Sequence, residues 1–258
     1  MTCSLSANLL KATTLALLMV APPARADLPS SINKVKPSVV IVGTFKATNN
    51  PRFTLRGTGF VVAEGNLAIT NAHVIPEGSE ADTETKMAVQ VRIGQSDLQM
   101  RFATVLEIDK THDLALLKFD GAPVQKLVLG DSDKAQEGQS IAFMGFPIGG
   151  ALGFSVVTHR GMISSRTAIS LPPANSRQLD ARTLRSLREG SFDIFQLDAT
   201  AYPGNSGGPM FDADTGEVLG VVNMVFVKGT KESALTNPSG ISYAIPSVHI
   251  LQLLQRRR

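Results

Sequence analysis

A serine within a glycine-rich turn is the feature of this sequence that points most directly to chemistry. Ser206 lies in the segment Pro203–Pro209, which reads PGNSGGP. A serine hydroxyl is a weak nucleophile at neutral pH and needs a base within reach. Glycines adopt conformations closed to other residues, so backbone N–H groups can converge beside the hydroxyl. The segment predicts either a tight surface turn or a nucleophile loop, and the choice depends on a base and an acid.

Histidine is the best candidate for the base. His73 follows the β-branched segment Leu67–Thr70 and two small residues, so its ring can stand at the rim of a cleft. The other three histidines are weaker candidates for the base. His112 adjoins a candidate acid, His159 lies within a predicted strand, and His249 lies in a predicted helix. We therefore expect His73 to be the base.

The third group should be an acid that fixes the tautomer of the imidazole. Asp113 directly precedes the apolar run Leu114–Leu117, which places its carboxylate at the edge of a core. Low polarity there strengthens a hydrogen bond to an imidazolium. Asp198 ends the segment leading to the serine turn and is the alternative, but the context favours Asp113.

The elements that must position these residues are predicted to be strands. The chain has 258 residues, 43% of them apolar, with 22 glycines and 14 prolines. Twelve short apolar segments bounded by turn residues predict an all-β protein. The polar connector Leu129–Gly138 divides them into two groups of six, which predicts two six-stranded antiparallel β-barrels with an active-site cleft between them. The predicted strands are Val39–Thr44, Thr58–Val62, Leu67–Thr70, Met87–Ile93, Arg101–Asp109, Leu114–Phe119, Ser140–Phe146, Phe154–Ser164, Ile194–Asp198, Pro209–Asp212, Val218–Val227 and Ile241–Ile245.

Two segments have helical periodicity. After Pro246, the residues Val248, Leu251 and Leu254 share one face and predict a C-terminal helix docked on a barrel. A second helix is predicted over 178–189, where arginines form a stripe within a long polar insertion, 166–193.

The first 26 residues have the pattern of a secretory signal. Lys11 precedes the apolar run Ala12–Val20, and small residues stand at Ala24 and Ala26. We predict cleavage near Ala26 and export to the periplasm or the medium, with no stable membrane span after cleavage. A retained N-terminal anchor is the alternative.

The composition after such cleavage excludes several classes of function. Cys3 would leave with the signal, so no disulfide is expected, and four histidines without cysteine predict no metal site. The remaining 23 bases and 22 acids give a net charge of +1, which is no argument for nucleic acid as a partner. No cofactor is predicted.

The order His73, Asp113, Ser206 resembles that of chymotrypsin-like serine proteases, and further motifs resemble the HtrA/Deg branch of that clan. The resemblance covers about residues 35 to 250. The motifs that carry the histidine, the aspartate and the serine, occurring in this order, are together a specific signal. The motifs are GTGFVV from Gly57, TNAHV from Thr70, HDLALLK from His112, LGDSD from Leu129, GFP from Gly145, QLDA from Gln196, PGNSGGP from Pro203 and SYAIP from Ser242.

The resemblance implies a role for each matching residue. Ser206 would be the nucleophile, His73 the general base and then acid, and Asp113 the orienting carboxylate. The backbone N–H groups of Gly204 and Ser206, with Asn205 between them, would form the oxyanion hole. Such an enzyme would be a serine endopeptidase acting on polypeptides, and unfolded or misfolded proteins are the expected substrates.

The resemblance also implies a substrate pocket. Thr200 stands where trypsin-like relatives carry an acid, so a preference for Lys or Arg is not expected. We expect a narrow pocket that favours small aliphatic residues, and β-pairing of substrate with the edge near Asn223–Val225. The pocket would be lined by Thr200, Asn223, Met224, Val225, Ile241 and Tyr243.

The remaining expectations concern organisation and partners. The predicted units are a signal at 1–26, one barrel at 27–128 and a second barrel with the helix at 129–258, with no PDZ domain. Homotrimers are common in the family, although residues 27–38 offer no aromatic anchor for one. The arginines of 166–193 could bind an anionic or protein activator, and a solvated face is the alternative.

Two other functions fit the same motifs. One is a protease-fold chaperone or binding module whose resting site is inactive. The other is a glutamyl endopeptidase of the same fold, which would need a basic group in the pocket, and Ile241–Ile245 supplies no histidine.

Overall fold

The structure is a computed structural model that describes residues 27–77, 84–94, 97–147, 154–168, 192–223 and 241–257. The side chain of Ile241 is not described. The predicted signal, the predicted helix over 178–189 and the pocket candidates Met224 and Val225 therefore lie outside the described residues.

Twelve antiparallel strands close into two six-stranded barrels, which confirms the predicted fold class. The strand order is β1-β2-β3-β6-β5-β4 in the first barrel and β10-β11-β12-β9-β8-β7 in the second. The first barrel comprises β1 Val39–Phe45, β2 Phe53–Val62, β3 Leu67–Thr70, β4 Lys86–Ile93, β5 Asp97–Asp109 and β6 Leu114–Phe119. The second comprises β7 Ser140–Gly145, β8 Val157–Ala168, β9 Asp193–Asp198, β10 Pro209–Asp212, β11 Val218–Asn223 and β12 Ile241–Pro246.

The strand alternation divides the core into three parts. In β1, Val40 and Val42 face the interior of the first barrel, while Val39 and Ile41 join a cluster shared by both barrels. Strands buried on both faces read as continuous apolar runs, which explains why this segment was recognised as a strand. The shared cluster fixes the two barrels against each other and so determines the cleft.

Some strand ends differ from the prediction. β2 begins at Phe53 rather than Thr58, because Phe53, Thr54 and Leu55 pair with the end of β1. These residues are exposed or only half-buried, so their apolar pattern is weak. β8 likewise runs to Ala168, four residues beyond the predicted end, through pairing with β9.

In the described part of the chain, two helices flank the barrels. α1, Leu28–Val35, was not predicted from the sequence; Asp27 caps it by accepting from the backbone N–H of Ser30. α2, Ser247–Arg256, is the predicted terminal helix.

The predicted buried face of α2 is wrong. Ile250 and Leu253 are fully buried, whereas Leu251 is exposed. Ser247 lies on the same buried face, and its hydroxyl donates to the carbonyl of Gly130. In the part of the chain that the structure describes, no helix has the length and apolarity needed to cross a membrane.

Candidate active site

His73 and Asp113 form a close pair on the first barrel. His73 lies in a short 3₁₀ helix, Ala72–Val74, directly after β3. Its Nδ1 lies 2.6 Å from Oδ2 of Asp113, and its backbone N–H donates to Oδ1 at 2.9 Å. The side chains are 33% and 17% exposed, so one edge of the imidazole faces solvent. Both carboxylate oxygens thus hold the histidine, one through its ring and one through its backbone.

The backbone of Asp113 is held in an unusual conformation. Its φ is +50°, a left-handed value that costs a non-glycine residue energy unless its surroundings compensate. Its carbonyl accepts from the side chain of Asn71 at 3.0 Å and from the backbone of Ala72 at 3.1 Å. These contacts join the start of β6 to the segment that carries His73. Asp198, the alternative acid, is exposed at the end of β9, and the described contacts of the His73 ring are with Asp113 instead.

Ser206 belongs to the second barrel, and its loop adjoins β2 of the first. It is 6% exposed, and its carbonyl accepts from the backbone of Thr58 in β2 at 2.9 Å. The backbone of Gly57 passes between the serine loop and the histidine helix. A Cβ there would lie 3.0 Å from the Ser206 carbonyl and 2.8 Å from Val74. Among the described residues the Oγ of Ser206 has no hydrogen-bond partner. In ligand-free enzymes the hydrogen bond between the nucleophile and its base is often long.

The residues before Ser206 form a hydrogen-bonded turn. The backbone N–H of Asn205 donates to the carbonyl of Tyr202 at 2.9 Å, and Gly204 has a φ of +102°. The carbonyl of Gly204 accepts from Oγ1 of Thr58 at 2.6 Å. Both ends of the Gly204–Asn205 peptide are therefore fixed by the protein.

Two backbone N–H groups of the serine loop have no acceptor among the described residues. Neither the N–H of Gly204 nor that of Ser206 donates to another residue within the described ranges. A buried or half-buried N–H without a partner is uncommon and needs an explanation. These are the two donors that the sequence resemblance assigned to an oxyanion hole.

The structure reveals a residue of the site whose contact the sequence did not predict. Asn223, expected to line the pocket, is fully buried at the end of β11 and donates to Oδ2 of Asp113 at 2.8 Å. It binds the same oxygen as Nδ1 of His73. The position of Asn223 at the end of an apolar strand is only a weak indication of this contact, because the sequence does not show which residues of the two barrels meet.

The other predicted pocket residues are only partly described. Thr200 is half-buried after β9, and Tyr243 is half-buried in β12, between Asn223 and Gln196 in the register. The neighbouring Ser242 is buried and accepts from the backbone N–H of Ala201 at 2.8 Å, which fixes the segment leading to the serine turn.

A second ionic cluster lies beside the turn that carries Asp113. The buried carboxylate of Asp109 accepts from the backbone and Nδ1 of His112 and from Arg256 of α2. The rings of His112 and His249 stack with centroids 3.8 Å apart, and Phe192 contacts both edge-on. The cluster joins the β5–β6 turn, α2 and the start of β9.

Hydrogen bonding and burial shift the pKa values of this cluster. Burial acts to raise the pKa of Asp109, but the hydrogen bonds from His112 outweigh it and bring the pKa to about 2. Burial, and then the proximity of His112, lowers the pKa of His249. Among the described residues no three His, Cys, Asp or Glu side chains are arranged to hold a metal ion.

Two closed six-stranded barrels, with a His–Asp pair on the first and a serine loop on the second, are the arrangement of a trypsin-like peptidase. The profile of the trypsin-like peptidase domain family matches residues 57–221, and the chain belongs to that family. Its similarity to the HtrA branch is also confirmed. The human protein named "Serine protease HTRA3" is 33% identical over 231 residues, 86% of this chain and 43% of the relative. A protein of Marinomonas sp. named "Probable periplasmic serine endoprotease DegP-like" is 31% identical over 191 residues, 74% of this chain and 33% of the relative.

Solved structures give the same result. The HtrA-type protease AlgW with a tripeptide aligns with a TM-score of 0.63 and 26% identity, covering 89% of this chain and 62% of that one. Deg5 aligns with a TM-score of 0.63 over 87% of this chain and 90% of its own, and at 24% identity it supports the fold alone. The chain spans less than half the length of the curated relatives named above.

Proposed function

We propose that this protein is a serine endopeptidase whose catalytic triad is Ser206, His73 and Asp113. The observation that carries the proposal is the 2.6 Å contact between Nδ1 of His73 and Oδ2 of Asp113 beside the Ser206 loop. A carboxylate on Nδ1 leaves Nε2 unprotonated and ready to accept the serine proton. Membership of the trypsin-like peptidase family supports the same assignment.

In the proposed mechanism, Oγ of Ser206 attacks the scissile carbonyl as Nε2 of His73 takes its proton. The carbonyl oxygen becomes an oxyanion, which the N–H groups of Gly204 and Ser206 bind. The imidazolium then protonates the leaving amine, and the first product departs from an acyl-enzyme. Water attacks this ester with His73 again as base, which releases the second product and restores Ser206.

The lack of a described acceptor for the N–H groups of Gly204 and Ser206 supports this mechanism. Each lost oxyanion donor typically costs about 10²–10³ in kcat, and both N–H groups are free of described partners and so available to bind an oxyanion. The Thr58 hydroxyl supports the geometry of the loop, because it holds the carbonyl of Gly204 and so determines the orientation of the following peptide.

We propose that the enzyme cleaves unfolded proteins after small aliphatic residues. The uncharged Thr200, which follows β9, and the aromatic Tyr243 within β12 support an apolar pocket. A peptide library cut mainly after Val or Ala is the expected result, and cleavage after Lys, Arg or Glu would contradict it.

We also propose export to the periplasm or the medium. The signal-like pattern of residues 1–26 supports it, as does the word "periplasmic" in the name of the Marinomonas relative. N-terminal sequencing of the secreted or periplasmic fraction should find a chain beginning near Asp27. Recovery only in the cytoplasm would contradict export.

The decisive test of the activity is casein cleavage combined with fluorophosphonate labelling. The wild-type chain should cleave casein and become labelled, and Ser206→Ala should do neither. A matched control is Ser164→Ala, since Ser164 is an exposed serine of β8. Equal cleavage by wild type and Ser206→Ala would refute the assignment.

A further inference from the structure

The side chain of Asn205 is anchored beneath the serine loop by a histidine of the second barrel. Asn205 is fully buried, and its Nδ2 lies 3.3 Å from Nε2 of His159 in β8. Its Oδ1 is buried and has no partner among the described residues. Among the described residues, the contact with His159 is thus the only hydrogen bond of this side-chain amide.

His159 is itself held rigidly. Its ring stacks on Phe143 of β7, with centroids 4.8 Å apart and planes 17° apart. The two residues are direct partners in the β7–β8 register, so the stack is fixed by the sheet. The centroid of the His159 ring also lies 5.9 Å from that of the Tyr202 ring.

His159 therefore contacts both ends of the turn that precedes Ser206. The turn runs from Tyr202 to Asn205, with Pro203 second and Gly204, at a φ of +102°, third. Proline followed by a residue of positive φ is the pattern of a type II turn. Type I and type II turns share their end residues but differ by a half-rotation of the middle peptide. The N–H of that middle peptide belongs to Gly204.

We propose that His159 is a positioning residue that keeps the turn from Tyr202 to Asn205 in the form that exposes the Gly204 N–H to a substrate carbonyl. This inference rests on the proposed function of Ser206. His159 holds one end of the turn through its ring and the other through a hydrogen bond, so the turn stays closed. In a closed turn with Pro203 second, the positive φ of Gly204 corresponds to the type II form.

The role requires a neutral imidazole. Nδ2 of Asn205 is a donor, so Nε2 of His159 must accept, which leaves the hydrogen on Nδ1. Burial lowers the pKa of His159, which favours the neutral form of its ring. Tyr202 is the titratable side chain that packs against the ring, and no charged group within the described ranges contacts it.

Two substitutions test the role by its effect on kcat and KM. His159→Leu should lower kcat about tenfold or more, while KM for a short peptide ester stays within about twofold, because the oxyanion donors act mainly in the transition state. His159→Gln offers an amide oxygen as acceptor and should restore kcat to within about threefold of wild type. Arg160→Gln, on the next and exposed residue of β8, is the control and should leave kcat unchanged.

A transition-state analogue separates positioning from general structural damage. A peptide boronate should bind His159→Leu more weakly by the same factor as kcat falls, with little change in the melting temperature. Unchanged kcat in a folded His159→Leu, or a His159→Gln no better than His159→Leu, would overturn the proposal.

A spectroscopic measurement is independent of activity. The ¹⁵N shifts of the His159 ring at pH 7 should show Nδ1 protonated and Nε2 bare, and the Asn205 side-chain amide signals should move in His159→Leu. An Nε2–H tautomer would overturn the proposal. If the wild type neither cleaves nor labels while these signals are as expected, the proposed function fails and the anchoring contact stands.

Discussion

Asn223 in the second barrel donates a 2.8 Å hydrogen bond to Oδ2 of Asp113 in the first. The same oxygen lies 2.6 Å from Nδ1 of His73. The amide and the imidazole therefore share one carboxylate oxygen, and the contact links the barrel that carries Ser206 to the pair that would activate it. A small shift between the barrels would disturb all three groups together.

Replacing Asn223 should impair catalysis through Asp113. A hydrogen bond to a charged group contributes about 1.5–3 kcal/mol, so Asn223→Leu should lower kcat by about 10- to 100-fold. Asn223→Asp has nearly the same shape but sets a second carboxylate against Asp113, so its loss should be larger. The measurement is kcat on a peptide ester, and an Asn223→Asp enzyme as active as wild type would contradict this arrangement.

The hydroxyl of Thr58 should be needed for the serine loop. Oγ1 donates to the carbonyl of Gly204 at 2.6 Å and accepts from the backbone of Phe146 at 3.1 Å. Thr58→Val removes both bonds at constant shape and should cost about 2 kcal/mol of unfolding free energy, with about tenfold slower fluorophosphonate labelling. Thr58→Ser keeps the hydroxyl and is the control. Labelling of Thr58→Val at the wild-type rate would contradict the role of this bond.

Asp109 should make the protein sensitive to acid. Its folded pKa of about 2 lies below the ordinary value of 3.8, so its contribution is present above pH 4 and is lost as the pH falls towards 2. The difference corresponds to on the order of 2 kcal/mol. Asp109→Asn should lower the unfolding free energy by about that amount at pH 7 and much less at pH 2.5, measured by urea titration. A penalty that does not vary with pH would contradict the ionic role of Asp109.

Gly207 should tolerate no side chain. Its φ is +86°, and an added Cβ would collide with the carbonyl oxygen of Thr58 and the hydroxyl of Thr70. Gly138 is a matched control, since its φ is +83° and nothing lies within 4 Å of the added atom. Gly207→Ala should cost about 2–4 kcal/mol more than Gly138→Ala, because only the first adds overpacking to backbone strain. Equal melting temperatures for the two variants would show that the loop adapts.

The sequence determined the features that depend on neighbouring residues. Continuous apolar runs such as Val39–Thr44 predicted strands, and the polar connector Leu129–Gly138 divided these strands into two groups of six. The identity of His73, Asp113 and Ser206 as candidates followed from short contexts of the same kind. The closeness of His73 to Asp113 was a reasonable expectation, because adjoining strands of one barrel carry them.

Contacts between distant segments were decided by the tertiary structure alone. The contact of Asn223 with Asp113 and that of His159 with Asn205 depend on barrel closure and on the packing of one barrel against the other. Packing against the barrels buried Ile250 and Leu253 of α2, together with the Ser247 hydroxyl that donates to Gly130, and left Leu251 exposed. Local pattern specifies which residues can be buried, but which partners they meet depends on how the chain closes in three dimensions.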